Sequence, residues 1–369
     1  MSISPRSRRS WPLFLALGLV VALVAAWTGL WFYLAAQAKA EFATWRERER
    51  QAGRQQDCTS FSVSGYPLQI EMHCTDASFE VEGSPVLKLT LPSVSAGVQV
   101  YDPSLLISDL KSPLNISERS GQNAYVVDWQ LGQARVRGLP SQADSGALTF
   151  DALSVRDPAA AGGDSVFTAR RFELHGQQAP RSTAAHPIVQ TTLKLKQAIA
   201  QGLHHLATAK PIDADVTSVV SGVSDLSPKP LSVALRDWQA RDGAIQITKA
   251  RLQQDDIIVE GAGNLRLTSR GGLDGNLDVS VVGIQKVLQM FDLDRVMSEG
   301  QIGATLNMLD QLIPGLGDIA RQTAAPSLAA TIGEPSEIDG KPARRLSLRF
   351  EDGTVYVGPI PVGEVPPLF

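Results

Sequence analysis

With 369 residues, 43% hydrophobic and 20% charged, the chain has room for one large or two ordinary domains and enough apolar matter for a core. That balance excludes a chain disordered by composition. A net charge of −4 and a pI near 5.8 speak against nucleic acid as a partner, which calls for a basic face.

The first element is apolar. Trp11 to Ala36 carries no charge and spans roughly 39 Å as a helix, against a hydrocarbon core of about 30 Å. Trp11 stands near one end and Trp27, Trp31 and Tyr33 near the other, as in interfacial aromatic belts. The competing reading is a cleaved signal, with small-residue sites at Ala36-Gln37-Ala38 and Ala38-Lys39-Ala40. Length favours the anchor, since signal cores run only about 7–15 residues. Arg6, Arg8 and Arg9 favour a cytoplasmic 1–10 segment, while Lys39, Arg46, Arg48, Arg50 and Arg54 count the other way. The two cysteines, Cys58 and Cys74, lie just beyond the apolar stretch and read as a disulfide in an exported segment.

Residues 37–56 are helix formers of mixed charge and predict a stalk. Phe42 and Trp45 within it would rest on headgroups or on the following domain. From 57 to 369 the period changes to two. Leu68, Ile70 and Met72 alternate with polar residues, as do Phe79 and Val81, Ile245 and Ile247, and Leu277, Val279 and Val281. Leu346, Leu348 and Phe350 repeat the pattern, and Asp352-Gly353 then predicts a hairpin.

Three stretches read as amphipathic helices: Leu195, Ile199, Leu203 and Leu206; Ile284, Val287, Leu288 and Phe291; and Ile302, Leu306, Leu309 and Ile313. The predicted class is a β-dominated α+β domain with large curved antiparallel sheet and a few packed helices. Loop-like composition at 177–190 leaves a division into two subdomains open. Asp128-Trp129-Gln130 and Asp237-Trp238-Gln239 echo one another, a thin sign of duplication.

No phosphate loop, nucleophile elbow or paired-histidine helix is present in the sequence, so no catalytic residue, cofactor or metal site is assigned. Gly261-Ala262-Gly263 lacks a third glycine, and Arg266 stands in its place, so a bulge or tight turn is expected there. His204-His205 reads as a solvated helix face. His73 beside Cys74 would point to the opposite side of a strand.

A Gly65-Tyr66-Pro67 turn between the two cysteines resembles the bacterial family carrying domain of unknown function number 2125. Val100-Tyr101-Asp102-Pro103, Pro113-Leu114, Asp352-Gly353 and Gly358-Pro359-Ile360-Pro361 are similar to it as well. The resemblance implies a bacterial inner-membrane protein with the bulk of its chain in the periplasm, and transfers no catalytic residues. An anchor followed by one-sided β-segments is also similar to AsmA-like envelope proteins, an analogy of architecture alone. The resulting expectation is a non-enzymatic envelope protein that binds lipid or another hydrophobic ligand, with the membrane as partner. Two alternatives stand beside it: a scaffold for another envelope protein, and a hydrolase whose active site is dispersed.

Overall fold

The computed structural model describes residues 11–81, 86–118, 125–139, 143–158, 165–180, 182–183, 187–201, 210–223, 231–290 and 333–369. Helix α1 (Trp11–Gln51) is one uninterrupted rod, in which apolar span and stalk are continuous. The stalk stops short of residue 56, because Gly53 adopts φ 75° and β1 (Arg54–Asp57) begins at once.

All the strands among the described residues form one antiparallel sheet. Its first part comprises β2 (Ser60–Ser64), β3 (Gln69–Val81), β4 (Leu87–Gln99), β5 (Asp102–Leu110), β6 (Leu114–Glu118), β7 (Tyr125–Asp128), β8 (Leu131–Arg137) and β9 (Ser145–Arg156). Strands β10 (Ser165–Gln178), β11 (Ile188–Ala200), β12 (Ile212–Ser221), β13 (Ala244–Gln254), β14 (Ile257–Leu267) and β15 (Leu273–Val282) follow as a meander. Strands β16 (Glu334–Ile338), β17 (Lys341–Glu351), β18 (Thr354–Val357) and β19 (Ile360–Glu364) close the far end, with β17 paired to β15. Helices α2 (Leu231–Gln239) and α3 (Ile284–Met290) are short. The β-dominated α+β expectation holds.

On either side of the loop-like stretch β10 and β11 pair directly, with Gln177 facing Gln190 and Gln178 facing Val189. The helix expected from Leu195 onward is corrected. Leu193 and Leu195 lie on β11 between β10 and β12, whose ladders pair its backbone on both sides and leave no need for internal helix bonds. A bulge at Gln197 (φ 50°) separates Leu195 from Ala198, which face Ala214 and Ile212. Leu203, Leu206, His204, His205, Phe291 and Ile302–Ile313 lie outside the described residues. Ile284 and Val287 do form helix α3 as expected.

The bulge has a fixed partner. The Asp213 carboxylate accepts the Gln197 backbone N–H at 2.8 Å and the Lys196 ammonium at 2.9 Å. Burial pushes its pKa up, but these two donors outweigh it and hold it below the usual 3.8. Glu173 is held below 4.5 chiefly by Arg171. Both folded values are depressed, so their stabilisation is complete above about pH 4–5 and lost as pH falls through the folded values. The thermal midpoint should therefore drop between pH 5 and 3. Asp213→Asn should flatten part of that drop, which calorimetry across the range would read.

The Asp352-Gly353 hairpin is present, with φ of 48° and 94° at its two central residues. Gly358 (φ 59°) and Pro359 form the next turn, between β18 and β19. Both hold the chain end against β14–β15: Gly353 N donates to Leu273 O, and Leu368 N to Gly271 O. The Asp352 carboxylate accepts the Thr268 hydroxyl at 2.5 Å and pairs with Arg270.

Candidate functional site: an open apolar sheet face

Because paired residues in a sheet share a face, the ladders show what each side of it presents. One row runs Met72, Ala96, Ser108, Ala134, Leu148, Leu174, Leu193, Val216, Ala250, Gly261, Val279 and Leu346, each directly opposite the next. A parallel row passes through Cys74, Val94, Leu110, Gly132, Phe150, Phe172, Leu195, Ala214, Leu252, Val259 and Val281. A third starts at Ile70, Val98, Leu106 and Val136 and ends at Leu277 and Leu348. None of these residues is charged. At about 4.8 Å per strand the stripe is roughly 50 Å long.

Its few hydroxyls are already satisfied. Thr191 and Ser218 bond each other at 2.7 Å, and Ser108 donates to Ser95 O at 2.8 Å. Among the described residues no buried side-chain polar atom lacks a partner. The face therefore offers dispersion and apolar contact without a polar readout.

The opposite face is charged. Glu173, Lys194, Asp215, Arg251 and Glu260 are successive cross-strand partners of alternating sign. Such pairs favour this register over slipped ones. At its far end lies the small buried cluster of Ile258, Val282, Ile338 and Ala343.

Most side chains on the apolar face are half-buried, and Leu174 and Leu252 remain 39% and 41% exposed. Where Ala134, Gly146 and Gly176 replace larger residues, the face sinks into a depression of about 650 Å³, edged by Leu148, Leu174, Val136 and Val189. Added Cβ atoms at Gly146 and Gly176 would meet their nearest neighbours only at 3.7 Å, so neither glycine is demanded by the backbone. They keep the depression empty.

Two tryptophans rest on this side. The Trp129 indole lies over Gly132, where an added Cβ would come within 2.4 Å of Nε1, and donates to Leu110 O at 2.9 Å. The Trp238 indole lies over Gly243 in the same way and donates to Ser221 O at 2.7 Å. The two echoing tripeptides thus share a structural role at strand ends.

The Gly261-Ala262-Gly263 run is interior to β14, and the irregularity expected near it falls on the partner strand, between Ile247 and Ala250. His73 points away from Cys74's side, toward Ser64 Oγ at 2.9 Å. No group of three or more potential metal ligands occurs among the described residues.

At the near end, α1 covers β2–β4. Phe42 stacks on Phe61 at 4.7 Å, with Trp45 beside it, so these aromatics rest on the domain. They close a second apolar pocket of about 320 Å³, which also touches Met72, Cys74, Phe79, Leu89 and Leu91. Cys58 and Cys74 are disulfide-bonded there, with Cα atoms 5.5 Å apart. Cys58→Ser should lower stability by about 2–4 kcal/mol through the lost loop constraint, read by urea denaturation with and without reductant.

The Gly65-Tyr66-Pro67 turn packs on α1 as well. Trp27 Nε1 donates to Pro67 O at 3.1 Å, Trp31 Nε1 to Gln69 O at 2.8 Å, and the Thr28 and Tyr66 hydroxyls are 2.8 Å apart. Trp31, Ala35 and Ile70 form a buried cluster beneath it. No motif signal pointed to this docking. The only hint was the Trp27–Trp31 spacing of one helical turn.

A family model described as "Uncharacterized protein conserved in bacteria (DUF2125)" matches residues 31–366. The chain belongs to that family. The matched span takes in the sheet and begins at Trp31, whose indole bonds Gln69 O; Trp27 and Thr28, which bond Pro67 and Tyr66, lie just before it. No curated protein matches the sequence. Helix α1 is long and apolar enough to cross a membrane, and only 6% of its apolar window is buried against the rest of the chain.

Proposed function

We propose that this DUF2125 protein is a non-enzymatic, single-pass anchored protein of the bacterial inner membrane. Its sheet lies in the periplasm and holds acyl chains of lipid, or another long hydrophobic ligand, on its apolar face. The observation that carries the reading is the uncharged stripe, about twelve strands long, which beyond the part of β3 and β4 under α1 has no covering layer among the described residues. Exposed apolar patches beyond a few hundred Å² mark binding surfaces in soluble domains. An acyl chain reaching the middle of a 30 Å hydrocarbon core spans about 15 Å, so the stripe has length for several. The disulfide supports an oxidising compartment, and the exposed apolar turns of α1 support the anchor. An anchor ahead of a one-sided sheet is also the arrangement expected of AsmA-like envelope proteins.

Native mass spectrometry of the full chain, released from mild detergent, tests the proposal. Retained phospholipid is the expected result. Gly146→Leu with Gly176→Leu should keep the fold, fill the depression and reduce that retention. A lipid-free spectrum, or retention unchanged in the filled variant with a protein partner covering the face, would overturn it.

A further inference from the structure

The β2–β3 and β4–β5 turns form an exposed apolar tip that neither the disulfide nor the sheet face explains. Tyr66 is 48% exposed, Leu68 56% and Tyr101 73%. No charge occurs between Ser64 and Ile70, and the next turn is uncharged until Asp102. The two turns are tied together, since Val100 N donates to Leu68 O at 2.9 Å. They are also fixed in height along α1 by the bonds from Trp27, Thr28 and Trp31.

That height is informative. Counting from Trp11, a hydrocarbon core of about 30 Å takes about 20 residues at 1.5 Å each and ends near Leu30. The tip therefore meets the helix at or just below this boundary. Phe32 and Tyr33, both 63% exposed, sit two and three positions above it on faces of α1 turned away from the sheet. Tyrosine and tryptophan at such a level, with aliphatic neighbours, match the glycerol and upper acyl region of a bilayer.

We propose that the Tyr66–Leu68 and Tyr101 turns are inserted in the outer boundary of the bilayer that α1 crosses, making the sheet's near edge a lipid-contacting surface. This rests on the anchored reading of α1. Ile70 and Val98, which begin the third apolar row, lie directly behind the turns and pack on Trp31 and Ala35. The stripe accordingly starts under α1 at the level of the lipid.

The full chain has no free cysteine among its described residues, so single labels are selective. Leu68→Cys and Tyr101→Cys, each carrying a fluorophore, would be placed in phosphatidylcholine vesicles containing lipid with a spin label high on the acyl chain. Leu23→Cys on α1 and Gln246→Cys on the polar face serve as references. Quenching of both tip labels, well above that of Gln246→Cys, is expected. Tip labels that match Gln246→Cys while Leu23→Cys is quenched would sink the insertion and leave the anchor standing. An unquenched Leu23→Cys would overturn the anchor and the insertion with it.

Discussion

Leu174→Glu and Leu252→Glu, made together, should strip the bound lipid while leaving the protein folded. Both leucines face the apolar side, and each is only about three-fifths covered. A carboxylate there keeps its water in the unliganded protein, so the cost is lost contact with Leu148 and Leu193, or with Ala214 and Val259. Cross-strand contacts of this kind are worth about 0.2–1 kcal/mol each, giving about 1–2 kcal/mol in all. With an acyl chain on the face the same carboxylates would be desolvated, at several kcal/mol each. Urea denaturation and lipid phosphorus per mole of protein would be measured together. A filled core predicts the reverse: the double variant would unfold outright, because two unpaired charges would be buried in it. Unfolding, or full lipid retention, would refute the open face.

Trp129→Ala should be among the most damaging single substitutions for stability, at about 3–5 kcal/mol. The indole is 7% exposed, contacts Phe150 at 4.8 Å and fills the space that Gly132 leaves. It also staples a break in the sheet. Strands β5 and β6 lie end to end beside β4, β8 and β7 lie end to end beside β9, and Trp129 sits where β7 gives way to β8. Its backbone N–H donates to Ser112 Oγ at 3.1 Å and its Nε1 to Leu110 O at 2.9 Å, joining both halves of the break. Trp129→Phe keeps the ring contact but leaves Leu110 O without this donor, for about 1–2 kcal/mol. Equal losses in the two variants would mean that the hydrogen bond, and not packing, holds the break.

Several elements were legible because their signals are local. An uncharged stretch as long as a bilayer is thick has to be a helix or expose its backbone, and α1 is that helix. Ile70 and Met72 alternate over a few residues, and Asp352-Gly353 supplies two positive φ values in sequence. Helix α2 passed unnoticed because the helical spacing of Leu231, Ala234, Leu235 and Trp238 covers only nine residues, too short a run to be told from a strand without its neighbours. The β11 error has the same root. Leu195 and Ile199 are four apart, a spacing that a helix and a strand both allow, and only the flanking strands decide between them.

On the site, the individual strands could be read, but their joining into one face could not. Along β3 and β4 the inward residues even change parity: Met72 and Cys74 give way to Ala77 and Phe79, and Leu89 and Leu91 to Val94 and Ala96. Asp76, at φ 49°, sits at the change in β3. Alternation within one segment cannot foresee such a shift.

Residue order alone determined the apolar helix, the sheet-forming segments, the adjacent cysteines and the tight turns, since each depends on neighbours a few positions away. Tertiary structure decided which strands lie side by side, and hence that uncharged residues from Met72 to Leu346 form one continuous surface. It also decided that the Gly65-Tyr66-Pro67 turn leans on Trp27 and Trp31. Hydrogen bonds between strands far apart in the chain set that register, and no local pattern carries their partners' positions.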